Sequence, residues 1–188
     1  MHRRQVIAAL AGLSAAGFAQ ANDLGRILLA QAAKERRSPD VIFVPTPAEV
    51  IEKMLELARV TPKDVLYDLG CGDGRIVVAA AKKGARAVGI DIDPQRIKEA
   101  NANAKAENVT EKVRFIENDL FEQNIGEATV VTLYLLPRLN EKLKPKLLKE
   151  LKPGTRIVSH AFDMGDWKPE ETAQVGGTTV YLWRVPKA

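Results

Sequence analysis

The fold is decided by residues 65–75, which read Val-Leu-Tyr-Asp-Leu-Gly-Cys-Gly-Asp-Gly-Arg. An apolar strand over 65–69 runs into three glycines, and a helical pattern begins at Ile76. A strand, a glycine turn and a helix are the usual first unit of a nucleotide-binding α/β sheet. A dinucleotide fingerprint, G-x-G-x-x-G, would place its third glycine at position 75, but that residue is Arg75 and the glycine is Gly74. The spacing therefore disfavours a hydride-transferring dehydrogenase.

Alternating strand and helix patterns continue from this unit along the rest of the chain. The predicted strands are 65–69, 87–91, 113–117, 129–135, 155–160, 171–175 and 178–185. Helices are predicted after Thr46 as a cap, over 74–83, after Asp93 as a cap to about residue 107, and over 137–151. Such repeats predict an α/β, doubly wound, mostly parallel seven-stranded sheet that a C-terminal antiparallel hairpin closes. The segment 161–168 is too short for a regular crossover helix.

Composition narrows the class of protein. Hydrophobic residues make up 46% and charged residues 28% of the 188 residues, as in a soluble globular domain. The net charge is +4, but residues 22–188 carry 26 basic and 24 acidic side chains, too small an excess to argue for nucleic-acid binding. The single cysteine, Cys71, excludes an internal disulfide and a multi-cysteine metal site. With His2 and His160 as the only histidines, we predict no metal site.

The first 21 residues have the pattern of a targeting segment. Arg3 and Arg4 precede an apolar run over 6–18, and Ala19-Gln20-Ala21 offers a small-x-small cleavage site. We interpret residues 1–21 as a signal peptide, which predicts an exported or periplasmic protein. The alternative for the segment is an uncleaved apolar helix that packs on the domain or anchors it, and the alternative location is the cytoplasm. Residues 22–40 are polar and mixed in charge, which predicts a linker before a domain over 41–188.

The glycine loop points to a family. Asp68 followed by Gly70, Gly72 and Gly74 resembles motif I of the class I S-adenosylmethionine (SAM) methyltransferases. The resemblance implies a Rossmann-like fold and SAM as the cofactor. In that family the loop passes against the amino-acid end of SAM, and the acid helps to hold its ammonium group. The resemblance implies that Cys71 also lies against the amino-acid end of SAM. The alternative for Asp68 is an acid that only stabilises the loop.

Acids also stand at the end of the second predicted strand and just after the third. Asp91 lies 21 residues after Gly70, near the spacing of an acid that binds ribose hydroxyls, and Ile92 is expected beside it. The resemblance further implies that Asp119 accepts from the adenine amino group and that Leu120 lies against the adenine ring. The alternatives are a solvated loop acid at position 91 and a loop cap at position 119.

The end of the fourth predicted strand is where the resembled family meets its acceptor. The tetrapeptide [DN]-P-P-[YF], which grips planar amide-like nitrogens in the branches that methylate nucleic acids and glutamine, is missing here. Tyr134 instead offers a ring face, which suits a cation, so we predict that it shapes the catalytic site. The alternative is a core tyrosine. His160, at the same rim, is either a proton acceptor or a loop histidine.

Several further segments resemble one subgroup, the small protein-lysine methyltransferases of archaea and mitochondria. They are Val44-Pro45-Thr46-Pro47, residues 132–137 with Asn140, and residues 151–160, within a resemblance that spans 41–185. It implies transfer to lysine amines of a protein partner, without nucleic acid and without a stable membrane span in the mature chain. A small-molecule methyltransferase and a non-catalytic SAM-fold binding module are the alternatives. Little chain is spare for a lid, which favours an open site.

Overall fold

The computed structural model describes residues 42–187. This part of the chain holds β1 (Val65–Leu69), β2 (Arg86–Asp91), β3 (Val113–Glu117), β4 (Val130–Leu133), β5 (Arg156–His160), β6 (Glu171–Val175) and β7 (Thr178–Arg184). They form one seven-stranded sheet in the order β3-β2-β1-β4-β5-β7-β6. The first five strands pair in parallel, whereas β7 is antiparallel to both of its neighbours. The predicted fold class is confirmed.

Four helices accompany the sheet in the described residues: α1 (Ala48–Leu57), α2 (Arg75–Lys82), α3 (Pro94–Ala106) and α4 (Pro137–Glu150). The Asp93 carboxylate accepts from the backbone N–H of Gln95 at 2.8 Å, so it caps α3 as predicted. The predicted cap of α1 was wrong. Pro47 occupies the N-cap position with no side-chain cap, and Thr46, one residue earlier, is buried.

Side-chain alternation along the strands divides the core between the two faces of the sheet. Leu66 and Val130 pack with α1 and α2 on one face. Tyr67 and Val131, one residue further along each strand, pack with α4 on the other. Strands buried on both faces explain the continuous apolar runs in the sequence.

Strand β4 is shorter than predicted. It ends at Leu133, opposite Leu69 of β1, instead of at residue 135. Because β1 gives way to the glycine turn at this level, residues 134 and 135 have no parallel partner there and leave the sheet. The segment between β5 and β6 forms only an isolated bridge, between Met164 and Trp167, so the expected lack of a crossover helix is confirmed.

Strand order reverses between β1 and β4, and the loops that follow β1 to β4 meet at one edge of the sheet. Ligands of doubly wound sheets bind at this position. The predicted signal peptide (1–21) and linker (22–40) lie outside the described residues. Among residues 42–187, no helix is long and apolar enough to cross a membrane.

Candidate active site

A cavity of about 510 Å³ lies at the carboxyl ends of β1 to β4. Its volume falls in the range of small-molecule and cofactor sites. Eight of the ten site residues expected from sequence line it: Asp68, Gly70, Cys71, Asp91, Ile92, Asp119, Leu120 and Tyr134. Folding thus brings together residues that are as much as 66 positions apart.

The glycine loop needs glycine for steric reasons. All three glycines have positive φ, which is 82° at Gly70, 54° at Gly72 and 77° at Gly74. A Cβ on Gly74 would lie 2.7 Å from the ring of Phe115 and 2.8 Å from Ala100 Cβ. Glycine at position 74 therefore allows side chains of α3 and β3 to pack against the loop. Gly74 does not line the cavity.

An N-terminal strap, which we define as residues 42–47, covers the loop. The ring of Phe43 lies over Gly72, where a Cβ would come within 2.2 Å of it. The Arg96 guanidinium stands 4.8 Å from the centre of the same ring. Arg75 donates to the Thr46 carbonyl at 3.2 Å and pairs with Asp73. The strap is thus held to the loop at two points.

Asp91 connects the two loops that follow β1 and β2. Its Oδ2 accepts from the backbone N–H of Gly72 at 2.8 Å, and its Oδ1 accepts from the N–H of Asp93 at 3.0 Å. A carboxylate oxygen can accept more than one hydrogen bond, so both oxygens retain capacity for a ligand hydroxyl. Asp91 is therefore placed to hold the loop and to face the cavity.

Asp68 is buried at the base of the cavity. Burial raises its pKa to about 7; the hydroxyl of Thr132, which donates to Oδ1 at 2.7 Å, opposes the shift, while the charges of Asp91 and Asp73 add to it. A buried carboxyl that is costly to ionise gains most from a cationic partner. This environment fits the ammonium end of an amino-acid ligand.

The pKa of Asp68 predicts a pH-dependent stability. Because the folded-state pKa of about 7 lies above the ordinary 3.8, the native protein binds this proton more tightly than the unfolded chain. The contribution of Asp68 to the free energy of unfolding is full below pH 3.8, falls as the pH rises from there, and is lost once the pH has passed about 7. Relative to Asp68→Asn, the ligand-free wild type should lose about 2–3 kcal/mol of unfolding free energy between pH 5 and pH 8. Urea unfolding across this range measures the difference, and parallel profiles would contradict it.

Asp119 and Leu120 lie in the loop that follows β3 and line the cavity. The Asp119 Oδ1 accepts from the N–H of Phe121 at 2.9 Å, so this carboxylate does cap its own turn, as the alternative interpretation expected. It also lines the cavity. Phe121 adds an apolar wall there, and the Lys142 Nζ lies 4.0 Å from the centre of its ring.

Tyr134 stands just beyond β4, with its ring against two others. The centres of the Tyr134 and His160 rings are 3.9 Å apart, and that of Phe162 is 6.2 Å from Tyr134. His160 is 4% exposed, and its Nδ1 has no hydrogen-bond partner within residues 42–187. Burial lowers the pKa of His160 below its usual value, so the ring is neutral near pH 7.

Sequence reasoning missed several residues around the cavity. Thr132 could have been found, since it is a polar residue in an apolar strand and lies opposite Asp68 in register. Phe43 and Arg96 carried no such signal, because their contacts join segments that are far apart in sequence. Phe121 and Phe162 likewise became candidates only through their neighbours in space.

The residues around the cavity fit SAM. Gly70 adds no side chain to the lining, Asp68 and Asp91 can accept hydrogen bonds from an ammonium group and from ribose hydroxyls, and the aromatic and aliphatic side chains suit an adenine ring. No group of His, Cys, Asp and Glu in the described range could hold a metal ion. The cavity is thus built for an organic ligand of mixed polarity.

Comparisons with known proteins bear on the class to which this chain belongs. The family model described as "ANTKMT methyltransferase domain" matches residues 68–171. The chain is 50% identical over 151 residues to a protein-lysine N-methyltransferase of Saccharolobus islandicus (strain REY15A), across 77% of this chain and 94% of that one. It is 34% identical over 152 residues to the adenine nucleotide translocase lysine N-methyltransferase of Mus musculus, across 79% of this chain but only 65% of the mouse one.

A solved structure is also similar. It is an RNA methyltransferase from Salinibacter ruber in complex with S-adenosyl-L-homocysteine, with a TM-score of 0.76 and 57% identity over 77% of this chain and 95% of that chain. Fold, cavity and relatives together define this chain as a SAM-dependent methyltransferase. It belongs to the family of the ANTKMT methyltransferase domain.

Proposed function

We propose that this enzyme transfers a methyl group to lysine side-chain amines of proteins. The observation that carries the proposal is the acceptor side of the cavity, where the Tyr134 ring stands in place of the acid or amide head that grips planar nitrogens. An aromatic face binds an alkylammonium group through its quadrupole. The names of the Saccharolobus and mouse relatives support the same acceptor.

The cavity residues supply what such a transfer needs from the protein. SAM, when bound, supplies an electrophilic methyl group on a sulfonium. A lysine amine has a free pKa of about 10.4, and an apolar site lowers it, because burial disfavours the charged form. Leu135 and Leu139 provide such a surface beside Tyr134. The proton can leave to solvent before transfer, so the main task of the site is alignment.

The roles of the cofactor residues are part of this proposal. Asp68, with the backbone of Gly70 and Cys71, would hold the amino-acid end of SAM, and Gly72 would leave space beside it. Asp91 would accept from the ribose hydroxyls, with Ile92 alongside. Asp119 and Leu120 would meet the adenine. All of these residues except Gly72 line one cavity, which supports the assignments.

RNA is the second candidate acceptor, which the name of the Salinibacter structure favours. The charge of this chain favours a protein instead, since residues 22–188 are nearly balanced in charge. RNA binding usually depends on a clear excess of positive charge near the site. A small-molecule acceptor has less support, because in the described residues β5 is followed only by a short bridged segment and not by a helix that could form a lid.

Label transfer tests the proposed function. Purified enzyme and labelled SAM would be incubated with a bacterial extract that is divided into protein and RNA fractions, and the products would be digested for mass spectrometry. We expect label on lysine side chains, and its loss with Asp91→Ala. Label confined to RNA would overturn the lysine acceptor in favour of the second candidate. Label in neither fraction would redirect the search to small molecules.

Export is a separate proposal that depends only on the pattern of residues 1–21. The supply of SAM argues for the alternative, because this cofactor is made in the cytoplasm. N-terminal sequencing of the protein from its native cells distinguishes the two. A mature chain that begins after Ala21 would support export, and an intact N-terminus would favour a cytoplasmic enzyme.

A further inference from the structure

The turn after β5 has an unfavourable backbone conformation. Ala161 directly follows the last residue of the strand and has a φ of 65°, in the left-handed region that side chains disfavour. The N–H of Phe162 donates back to the carbonyl of His160 at 2.9 Å. Such a turn persists only where its surroundings hold it.

Asn140 of α4 holds this turn. The side chain is fully buried, and its Nδ2 donates to the carbonyls of Phe162 at 3.2 Å and Asp163 at 3.1 Å, and to Ser159 Oγ at 3.2 Å. The two amide hydrogens are therefore shared among three acceptors. Without these hydrogen bonds, the carbonyls of Phe162 and Asp163 would lose the Asn140 amide as their partner inside the protein.

This turn supports a ring wall, which we define as Tyr134, His160 and Phe162. The rings lie in contact, with planes inclined by 33° between Tyr134 and His160 and by 16° between Tyr134 and Phe162. Of the three, Tyr134 lines the cavity. Because the His160 ring is neutral, the wall offers aromatic faces without a positive charge that would repel an ammonium group.

We propose that Asn140 is a positioning residue for the acceptor: it holds the turn over residues 161–163 and thereby keeps the ring wall where the acceptor amine enters. The inference rests on the proposed function, because it takes an amine to be what the wall meets. Asn140 acts through Phe162 and His160 and does not itself reach the cofactor side. Its loss should therefore affect acceptor binding far more than SAM binding.

A double-mutant cycle tests this coupling. Asn140→Asp places carboxylate oxygens against the turn's carbonyls, and Phe162→Leu removes one ring and keeps an apolar side chain. We expect each variant to raise the KM for the acceptor about tenfold and to leave the Kd for SAM within about twofold. Because both act through one wall, the double variant should be little worse than either single one. Asn101→Asp makes the same chemical change at an exposed α3 site and should leave both constants unchanged.

A spectroscopic readout separates positioning from general destabilisation. His2 and His160 are the only histidines, so proton NMR of the full chain shows two imidazoles, one of them shifted by the Tyr134 ring. Asn140→Asp should move the His160 signals toward those of His2 while SAM binding persists. Unchanged signals, or an unchanged acceptor KM, would overturn the inference.

The outcomes are distinguishable from failure of the proposed function. KM is measured for whichever acceptor the wild type labels, so label on RNA alone overturns the lysine proposal and still tests Asn140. If Asn140→Asp does not fold, Phe162→Leu decides, because a normal acceptor KM in that variant removes any role for the wall. A wild type that labels no acceptor would overturn both.

Discussion

Gly72→Val should abolish measurable SAM binding while the domain still folds. The residue has a φ of 54°, and a side chain there would meet the Phe43 ring within 2.2 Å. Because that ring is 41% exposed, it can swing aside, so the added methyl groups would fill the space beside the loop. We expect SAM affinity to fall more than about 100-fold, which corresponds to about 3 kcal/mol. Calorimetric titration measures this loss.

Gly154→Val is the matched control for this substitution. Gly154 also has a positive φ, 88°, but a Cβ there would meet nothing within 4 Å. Both variants thus carry backbone strain of about 1–3 kcal/mol, and only Gly72→Val adds bulk at the loop. The control should bind SAM within about twofold of the wild type. Tight binding by Gly72→Val would show that the cofactor does not approach this glycine.

Asp91→Ala should weaken SAM binding about 100-fold, the second large effect. A hydrogen bond to a charged group contributes about 1.5–3 kcal/mol, and removal of this carboxylate also releases the N–H groups of Gly72 and Asp93. The loop that meets the cofactor would then lose its tie to β2. Since Asp91 is only partly buried, the freed N–H groups can bind water, and the domain should remain folded.

Asp93→Asn is the control for the second prediction. It lies two residues away, and asparagine is also a good helix cap, so the bond from Gln95 should survive. The variant should keep near-normal SAM affinity and thermal stability. If Asp91→Ala binds SAM like the wild type, the ribose assignment is wrong. The Asp91 carboxylate of the wild type would then serve only to join the two loops.

Most of the sheet could be predicted because its signals are local. Short runs of apolar residues mark the central strands, and Asp93-Pro94 marks the start of α3. The two errors arose where a distant partner decides the outcome. Strand β4 ends at Leu133, beside the end of β1, and Thr46 is buried, with its carbonyl bound by Arg75, instead of capping α1.

The sequence by itself determined the first residues of the glycine loop, the acids Asp91 and Asp119, and Tyr134 as residues of one cavity, because strand ends of a parallel sheet meet at one edge. Only the tertiary structure decided how these residues are supported. Three contacts join segments that are far apart in the chain: the Phe43 ring over Gly72, the Thr132 hydroxyl on Asp68, and the Asn140 amide on the turn after β5. Such contacts depend on packing across helices and strands, which no local pattern of residues records.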